Sequence, residues 1–420
     1  MKIFLSVGEP SGDLHGANLI RELRSRRPDC RFVGYGGPRM AAAGCELHED
    51  LTQLAVMWFA RVLMNLHRFW NLASRADRYF RHERPAVVVL IDYPGFNWWI
   101  ARRAKAHGIP VFYYGTPQLW AWAGWRVKKM RRFVDHVLCK LPFEEPWYRE
   151  RGCHATYVGH PYFDQLRVEE LDADFIRQQR AGNGPLVAIL PGSRTQEVKS
   201  NFHWLLKAAR LVHERVPSAR FAVAAYMPSQ AEFVRGQLRH SDLPIEVHVG
   251  RTGELIEAAD CAMAVSGSVS LELLFHTTPT VIHYHISRPA FFVQSFFRKV
   301  RYITLVNLLV TDELFPRRVA NYNRHDPADA KVLMPEYLTC EDRSGDVAEH
   351  VVEWLTEPAK RAALVAQLAE LKDLVGYGGA SRRGADYILT ELERLSSSRS
   401  PLRTHFPFAA RLDEARRGAA

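Results

Sequence analysis

Residues 187–200, Val-Ala-Ile-Leu-Pro-Gly-Ser-Arg-Thr-Gln-Glu-Val-Lys-Ser, decide the fold. The apolar run Val187 to Leu190 stops at Pro191-Gly192, polar residues follow, and a helix-compatible segment runs from Glu197 through Leu211. Strand, tight glycine turn and helix start are how α/β proteins build an anion site, because free backbone N–H groups and the positive helix end converge there. On that reading Gly192 lets a phosphate approach the backbone, Ser193 donates a hydrogen bond and Arg194 offers a planar charged fork. The plain alternative is a strand–turn–helix junction with a surface arginine. A second element weighs against it. Asp260 to Val265 reads as a strand, and Ser266-Gly267-Ser268 as a small-residue turn opening a helix. Glu272, one turn into that helix, has two oxygens with which to clamp two ribose hydroxyls, unless it only complements the helix dipole.

Outward from these elements the chain alternates. Strand 186–190, helix 197–214, strand 220–226, helix 230–238, strand 245–248 and helix 253–258 precede the Ser266 turn, and Pro279 to Tyr284 is a further strand. Strands alternating with helices predict an α/β chain with parallel sheets. The N-terminal half has the same rhythm. Residues 2–7 read as a buried strand, Gly8-Glu9-Pro10-Ser11-Gly12-Asp13 as its turn, and a helix follows from His15 or Gly16 to Arg27. Gly8, Ser11, Gly12 and Asp13 therefore offer a second anion or sugar pocket. Ala86 to Asp92 is a buried strand ending in a carboxylate, followed by Tyr93-Pro94-Gly95-Phe96-Asn97. Ligands of parallel sheets bind at the carboxyl ends of strands, so Asp92 stands where a catalytic base would, with an Asx turn or helix cap as the alternative.

The chain turns polar from Gln165 to Gly184, and Gly182-Asn183-Gly184-Pro185 is its clearest breaker cluster. A length of 420 residues supports two cores. The expected domains are 1–170 and 171–380, with a last helix at 380–395 packing back on the first and a partly mobile tail at 396–420. Residues 311–335, polar and irregular, read as an inserted loop. The apolar segment Ile303 to Leu309 contains Asn307.

Composition is that of a globular protein, 47% hydrophobic and 24% charged, which excludes wholesale disorder. The formal charge of +10 favours anionic partners. Six scattered cysteines without a CxxC pair point to reduced thiols, not zinc or a disulfide framework. The N-terminal apolar stretch is too short for a signal peptide, and no run reaches the ~18 apolar residues of a spanning helix. A protein that is soluble, or at most peripheral, is expected. Between Leu54 and Leu72, Trp58, Phe59, Val62, Leu63, Leu66, Phe69 and Trp70 recur at helical spacing. Such a stripe is either core or, beside arginines, a helix that dips into a membrane interface. Trp120 and Trp122 run into Arg126, Lys128, Lys129, Arg131 and Arg132, a pattern for stacking on nucleic acid or for a sugar and phosphate.

The motifs GEPSGDLHGA, GYGGPRM, LAVMWFARVL, IDYPGFN, PQLWAW, LPFE, YVGHP, LPGSR with Glu197, and SGS with Leu271-Glu272 follow in one order. Over roughly 2–310 and 335–390 the chain resembles the lipid-A-disaccharide synthase family. The resemblance implies two Rossmann-like domains in a glycosyltransferase B-type fold with an interdomain cleft. It implies inverting transfer of 2,3-diacylglucosamine from its UDP ester onto 2,3-diacylglucosamine 1-phosphate, giving a β-1,6-linked disaccharide of lipid A. Asp92 corresponds to the base and Arg194 to the residue at the UDP diphosphate. Gly8, Ser11, Gly12, Asp13, Gly192, Ser193, Glu197, Ser266, Gly267, Ser268, Glu272 and Asn307 fall on the substrate side. The LAVM segment corresponds to the membrane-contacting one, which favours the interfacial reading of 54–72, at the anionic cytoplasmic face of the inner membrane. No cofactor and no nucleic acid are implied. Lacking an Asp-x-Asp pair near the nucleotide motif, the chain is expected to work without metal. A homodimer exchanging C-terminal parts is open to it. Two departures stand out: Val306 in Leu305-Val306-Asn307-Leu308-Leu309, and Thr339 at a glutamine position. The competing reading is another UDP-sugar enzyme of the same fold, an N-acetylglucosaminyltransferase or a UDP-sugar epimerase.

Overall fold

The structure, a computed structural model, describes residues 1–55, 66–239 and 241–399. Trp58, Phe59, Val62 and Leu63 of the expected membrane-contacting face lie outside the described residues, as does 400–420.

Among the described residues the strands form two sheets, each parallel throughout. The first contains β1 (Lys2–Val7), β2 (Arg31–Gly36), β3 (Cys45–Asp50), β4 (Val87–Ile91), β5 (Val111–Tyr114), β6 (His136–Cys139) and β7 (Ala155–Tyr157), in the order β3-β2-β1-β4-β5-β6-β7. The second contains β8 (Leu186–Leu190), β9 (Arg220–Ala225), β10 (Ile245–Val249), β11 (Cys261–Ala264), β12 (Thr280–His285) and β13 (Glu336–Thr339), in the order β10-β9-β8-β11-β12-β13. Both orders reverse next to their first strand, as in doubly wound folds.

The sequence dictates this by burial. β4, Val-Val-Val-Leu-Ile, is buried at every position, as a strand covered by helices on both faces must be. Alternate residues serve opposite cores: Phe4, Val88 and Leu90 pack on one face of the first sheet, and Ile3, Leu5, Val87 and Val89 on the other. Val187 and Ile189 of β8 face away from Leu186, Ala188 and Leu190 in the same way.

The structure differs from expectation in places that matter for the site. The first helix begins at Pro10, not at His15. Proline suits the first helical turn, where its missing N–H has no intrahelical partner to lose. Ser11, Gly12 and Asp13 are therefore helical. Leu305–Val310 is a helix. Residues 311–335 are irregular except for a 3-10 turn at Pro327–Asp329, and they are anchored: Arg301 pairs with Asp326 and Asp329 at 2.8 Å each.

After the helix Pro358–Val375 the chain returns to the first sheet. The Asp164 carboxylate accepts from the N–H groups of Gly379, Ala380 and Ser381, and Arg383 Nε donates to the Val158 carbonyl at 2.8 Å. The helix Ala380–Arg399 then adds Ala385, Ile388, Leu389 and Leu392 to the core around Leu19 and Leu23. All six cysteines are free thiols. Among the described residues no helix is long and apolar enough to cross a membrane.

Candidate active site

Each sheet's order reverses beside its first strand, between β1 and β4 and between β8 and β11, where the loops leaving neighbouring strands turn to opposite faces and open a crevice. Val7 is level with Ile91 at the first of these points, and Leu190 with Ala264 at the second. The residues immediately beyond are Gly8-Glu9 and Asp92 in one sheet, and Pro191 to Arg194 and Ser266 to Ser268 in the other. Four of the sequence motifs thus emerge at the two topological switch points.

Asp92 sits in a strained and heavily braced turn. Asp92 and Tyr93 both have φ +44°, a left-handed conformation costly for a bulky residue. The Asp92 carbonyl accepts from Asn97 Nδ2 at 2.8 Å and from the Tyr113 hydroxyl at 2.6 Å. Asn97 also accepts from Ser6 Oγ at 2.7 Å, so the asparagine of IDYPGFN locks the turn to β1. Gly8 is required here because a Cβ would lie 2.2 Å from the Tyr93 ring.

The Asp92 side chain meets a partner that the motifs did not single out. Lys140 Nζ donates to Asp92 Oδ1 at 3.0 Å, and the two side chains are only 12% and 19% exposed. Burial opposes charging of Lys140, but Asp92 and Glu144 outweigh it and hold the ammonium above its ordinary pKa. Glu144 is wholly buried; it accepts from Trp120 Nε1 at 2.9 Å and from the Lys140 and Leu141 N–H groups at 2.8 and 3.0 Å. The LPFE glutamate therefore ties the tryptophan loop to the lysine that holds Asp92. Burial and the Asp92 charge push the Glu9 carboxyl up, while Arg194 and Lys140 pull it down, so the charges of both switch points act across one cleft. His15 is buried with Nδ1 unpartnered among the described residues, and burial lowers its pKa to about 4.

A cavity of 880 Å³ opens over this wall, lined by Ser11, His15, Asp92 and Lys140 on the first half and by Val293 and Phe297 on the second. Gly267, Ser268 and Ile303 line it too, and they also line a second cavity of 870 Å³. Gly192, Ser193, Arg194, Glu197 and Glu272 line the second. The two cavities are one cleft with the Ser266–Ser268 turn at its waist.

In the second cavity Gly192 has φ +115°, and a Cβ there would come within 2.8 Å of Glu197 Cβ. Glu197 accepts from the Arg194 N–H and pairs with its guanidinium, each at 3.3 Å, yet the Arg194 side chain remains 78% exposed. The Ser193 carbonyl accepts from Gln230 Nε2 at 2.9 Å, and the Gln230 Oε1 accepts from the Tyr226 and Met227 N–H groups. Tyr162 donates to Glu272 at 2.7 Å, and burial raises this carboxyl to about 7.

Other expected site residues have different work. Asp13 accepts from the N–H groups of Gly37, Arg39 and Met40 at 2.9, 3.0 and 3.1 Å, so it caps the GYGGPRM loop, and it lines neither cavity. Gly12 packs on Val7. Asn307 is wholly buried; it donates to the Met334 carbonyl and to Glu336 at 2.7 and 3.0 Å, and accepts from the Met334 N–H. Phe69 belongs to the core of the first sheet, whereas Leu66 and Trp70 are exposed. Thr339 pairs with Glu341 in its own turn. Lys140 and Gln230 are the neighbours of these residues that no motif marked, while Glu144 stood in LPFE without an assigned part.

Comparison with known proteins gives the family and the fold. A family model described as lipid-A-disaccharide synthetase matches residues 3–360. The lipid-A-disaccharide synthase of Myxococcus xanthus is 34% identical over 391 residues, covering 92% of this chain and 97% of that one. That of Syntrophus aciditrophicus is 32% identical over 394 residues, covering 93% and 98%. Among solved structures, a UDP-GlcNAc 2-epimerase from Neisseria meningitidis bound to UDP-GlcNAc superposes with a TM-score of 0.61 at 12% identity, covering 93% of this chain and all of that one (100%). Acinetobacter baumannii MurG does so with 0.53 at 12% identity, covering 93% and 99%. These likenesses are of fold, two Rossmann-like domains in the glycosyltransferase B arrangement. The chain belongs to the lipid-A-disaccharide synthetase family, glycosyltransferases of lipid A biosynthesis.

Proposed function

We propose that the chain transfers 2,3-diacylglucosamine from its UDP ester to the 6-hydroxyl of 2,3-diacylglucosamine 1-phosphate, with inversion at the anomeric carbon. The observation that supports this best is the single cleft with the Asp92–Lys140 pair on one wall and the Arg194–Glu272 cavity on the other. Single displacement needs a base and a leaving-group site on opposite sides of the reacting carbon. Lys140 occupies Asp92 Oδ1, which leaves Oδ2 to take the acceptor hydroxyl proton. The acceptor oxygen bonds to the anomeric carbon as the bond from that carbon to the UDP oxygen breaks. Negative charge developing on UDP is met by the N–H groups after Gly192 and the Ser193 hydroxyl, and by Arg194 once it has closed onto the diphosphate. Arg194, exposed in this open cleft, is positioned to fold onto the diphosphate, and closure would exclude the water that otherwise hydrolyses the donor. Glu272, which lines the same cavity as Arg194, suits the ribose. The enzyme would work at the anionic cytoplasmic face of the inner membrane, held there through the 54–72 segment.

Turnover of the two lipid substrates with EDTA, run beside Asp92→Asn, tests the reading. Disaccharide from the unaltered chain alone, insensitive to chelation, supports it. Absence of product with UDP still bound would mean that donor or acceptor is a different molecule.

A further inference from the structure

The cleft wall facing Asp92 carries a cation that the reaction above does not use. The helix Arg288–Phe297 has no buried residue. Its Val293 and Phe297, both about half exposed, line the first cavity together with Trp122 and Trp125. The Lys299 N–H donates to the Ala121 carbonyl at 2.8 Å, which stitches the end of this helix to the tryptophan loop and makes one aromatic wall from two domains. Arg298 lines the same cavity, between the helix and that stitch.

Its partners are all neutral. Arg298 Nη2 donates to the Ala320 carbonyl at 3.3 Å and to Asn321 Oδ1 at 2.7 Å. Nε is buried without a partner, and no carboxylate lies within ion-pair distance, among the described residues. Glu336, whose charge Arg298 does feel, is held by the Ile303 and Thr304 N–H groups and by Asn307. Arg301, three residues on, is neutralised by two aspartates. A half-buried guanidinium without a counter-ion is costly unless an anion completes it, and a planar fork fits a phosphate well.

We propose that Arg298 is the anchor for the phosphate monoester of the acceptor, whose acyl chains lie along the Trp122, Trp125, Val293 and Phe297 wall while its hydroxyl reaches Asp92. This rests on the reading that the acceptor is a phosphorylated amphiphile. It also gives the polar 311–335 segment a task, since Ala320 and Asn321 aim the guanidinium.

The test compares 2,3-diacylglucosamine 1-phosphate with its methyl glycoside, which lacks the phosphate, as acceptors for the full chain, Arg298→Gln, Arg298→Lys and Asn321→Ala. Arg298→Gln should raise KM for the phosphorylated acceptor roughly 10- to 100-fold, leave the methyl glycoside unaffected and leave UDP affinity unchanged. Arg298→Lys should restore part of the loss, and Asn321→Ala should show a smaller one of the same kind. Equal losses for both acceptors would assign Arg298 a structural role, a fall in UDP affinity would assign it to the donor diphosphate, and no change would leave it idle; each overturns the proposal. If the unaltered chain turns over neither acceptor, calorimetric binding of the two amphiphiles decides instead. A preference for the phosphate that Arg298→Gln abolishes sustains the anchor even as the transferase reading falls; no such preference removes both.

Discussion

Around the first switch point the strand ends, β6 included, carry side chains that grip one another: Asp92 on Lys140, Glu144 on the Lys140 backbone and on Trp120, Asn97 on the Asp92 carbonyl. At the second they carry Gly192, Ser193 and Ser268, with Arg194 extended into solvent. The same topology thus builds a finished wall and an unfinished one. On the reaction proposed above, the difference follows from what each wall would bind. A base needs a fixed direction before its substrate arrives, whereas a diphosphate brings its own charge and can draw an arginine onto itself.

That contrast can be broken at its strongest point first. Asp92→Asn should lower kcat by about 10³-fold, within the range of a lost general base, while calorimetry finds UDP affinity intact. A parallel loss of UDP binding would make the two walls one. Lys140→Met comes next: kcat should fall about 10- to 100-fold, and the partly buried carboxylate left without its cation should cost about 2 kcal/mol of stability in a denaturant titration. Lys140→Arg should recover part of both. On the unfinished wall Arg194→Ala should reduce UDP affinity and rate together by about tenfold, with no change in thermal midpoint, because the side chain is exposed; a drop in stability would show that this wall too is pre-assembled. Gly192→Ala should be the reverse case, losing about 1–3 kcal/mol to backbone strain at φ +115°.

A further effect concerns pH. The Glu272 carboxyl is raised by burial from 4.5 to about 7, so between those values the folded chain holds a proton that the unfolded chain lacks. Its contribution to stability is therefore greatest on the acid side and declines as pH rises through that window, by roughly 3 kcal/mol at most. Glu272→Gln should melt higher than the unaltered chain at pH 8, and the two should converge near pH 4. If the ionised carboxylate clamps the ribose, uridine affinity should rise from pH 6 to 8 in the unaltered chain and stay flat in Glu272→Gln.

Much of the architecture was legible because it is written locally. Val87 to Ile91 and Val187 to Leu190 are unbroken apolar runs, and the residue after each strand is where a doubly wound sheet places its ligands. Asp92, Gly192 and Arg194 could be read on that basis. Lys140 could not. It precedes LPFE as one more lysine in a basic chain, and its partner is 48 residues away. Gln230 supports Ser193 from 37 residues further on, with nothing in its own neighbourhood to mark it. Asp13 shows the opposite failure: a carboxylate in a glycine-rich turn looks the same in sequence whether it faces a ligand or caps the adjacent loop, and here Gly37 to Met40 claim it. The first helix start had its signal in Pro10, outweighed in reading by the glycines around it.

The helix Ala380–Arg399 has a consequence for how the protein is made. Its apolar residues complete a core begun by Leu19 and Leu23, and Asp386 pairs with Arg26 across 360 positions of chain. A ribosome therefore releases the whole first sheet, then the whole second, before the segment that seals the first emerges. The later half is finished earlier, and the earlier half waits with a bare helix face, the situation in which nascent chains most need a chaperone. Premature termination anywhere before residue 380 leaves that face uncovered, so a truncation that removes this helix should yield insoluble chain.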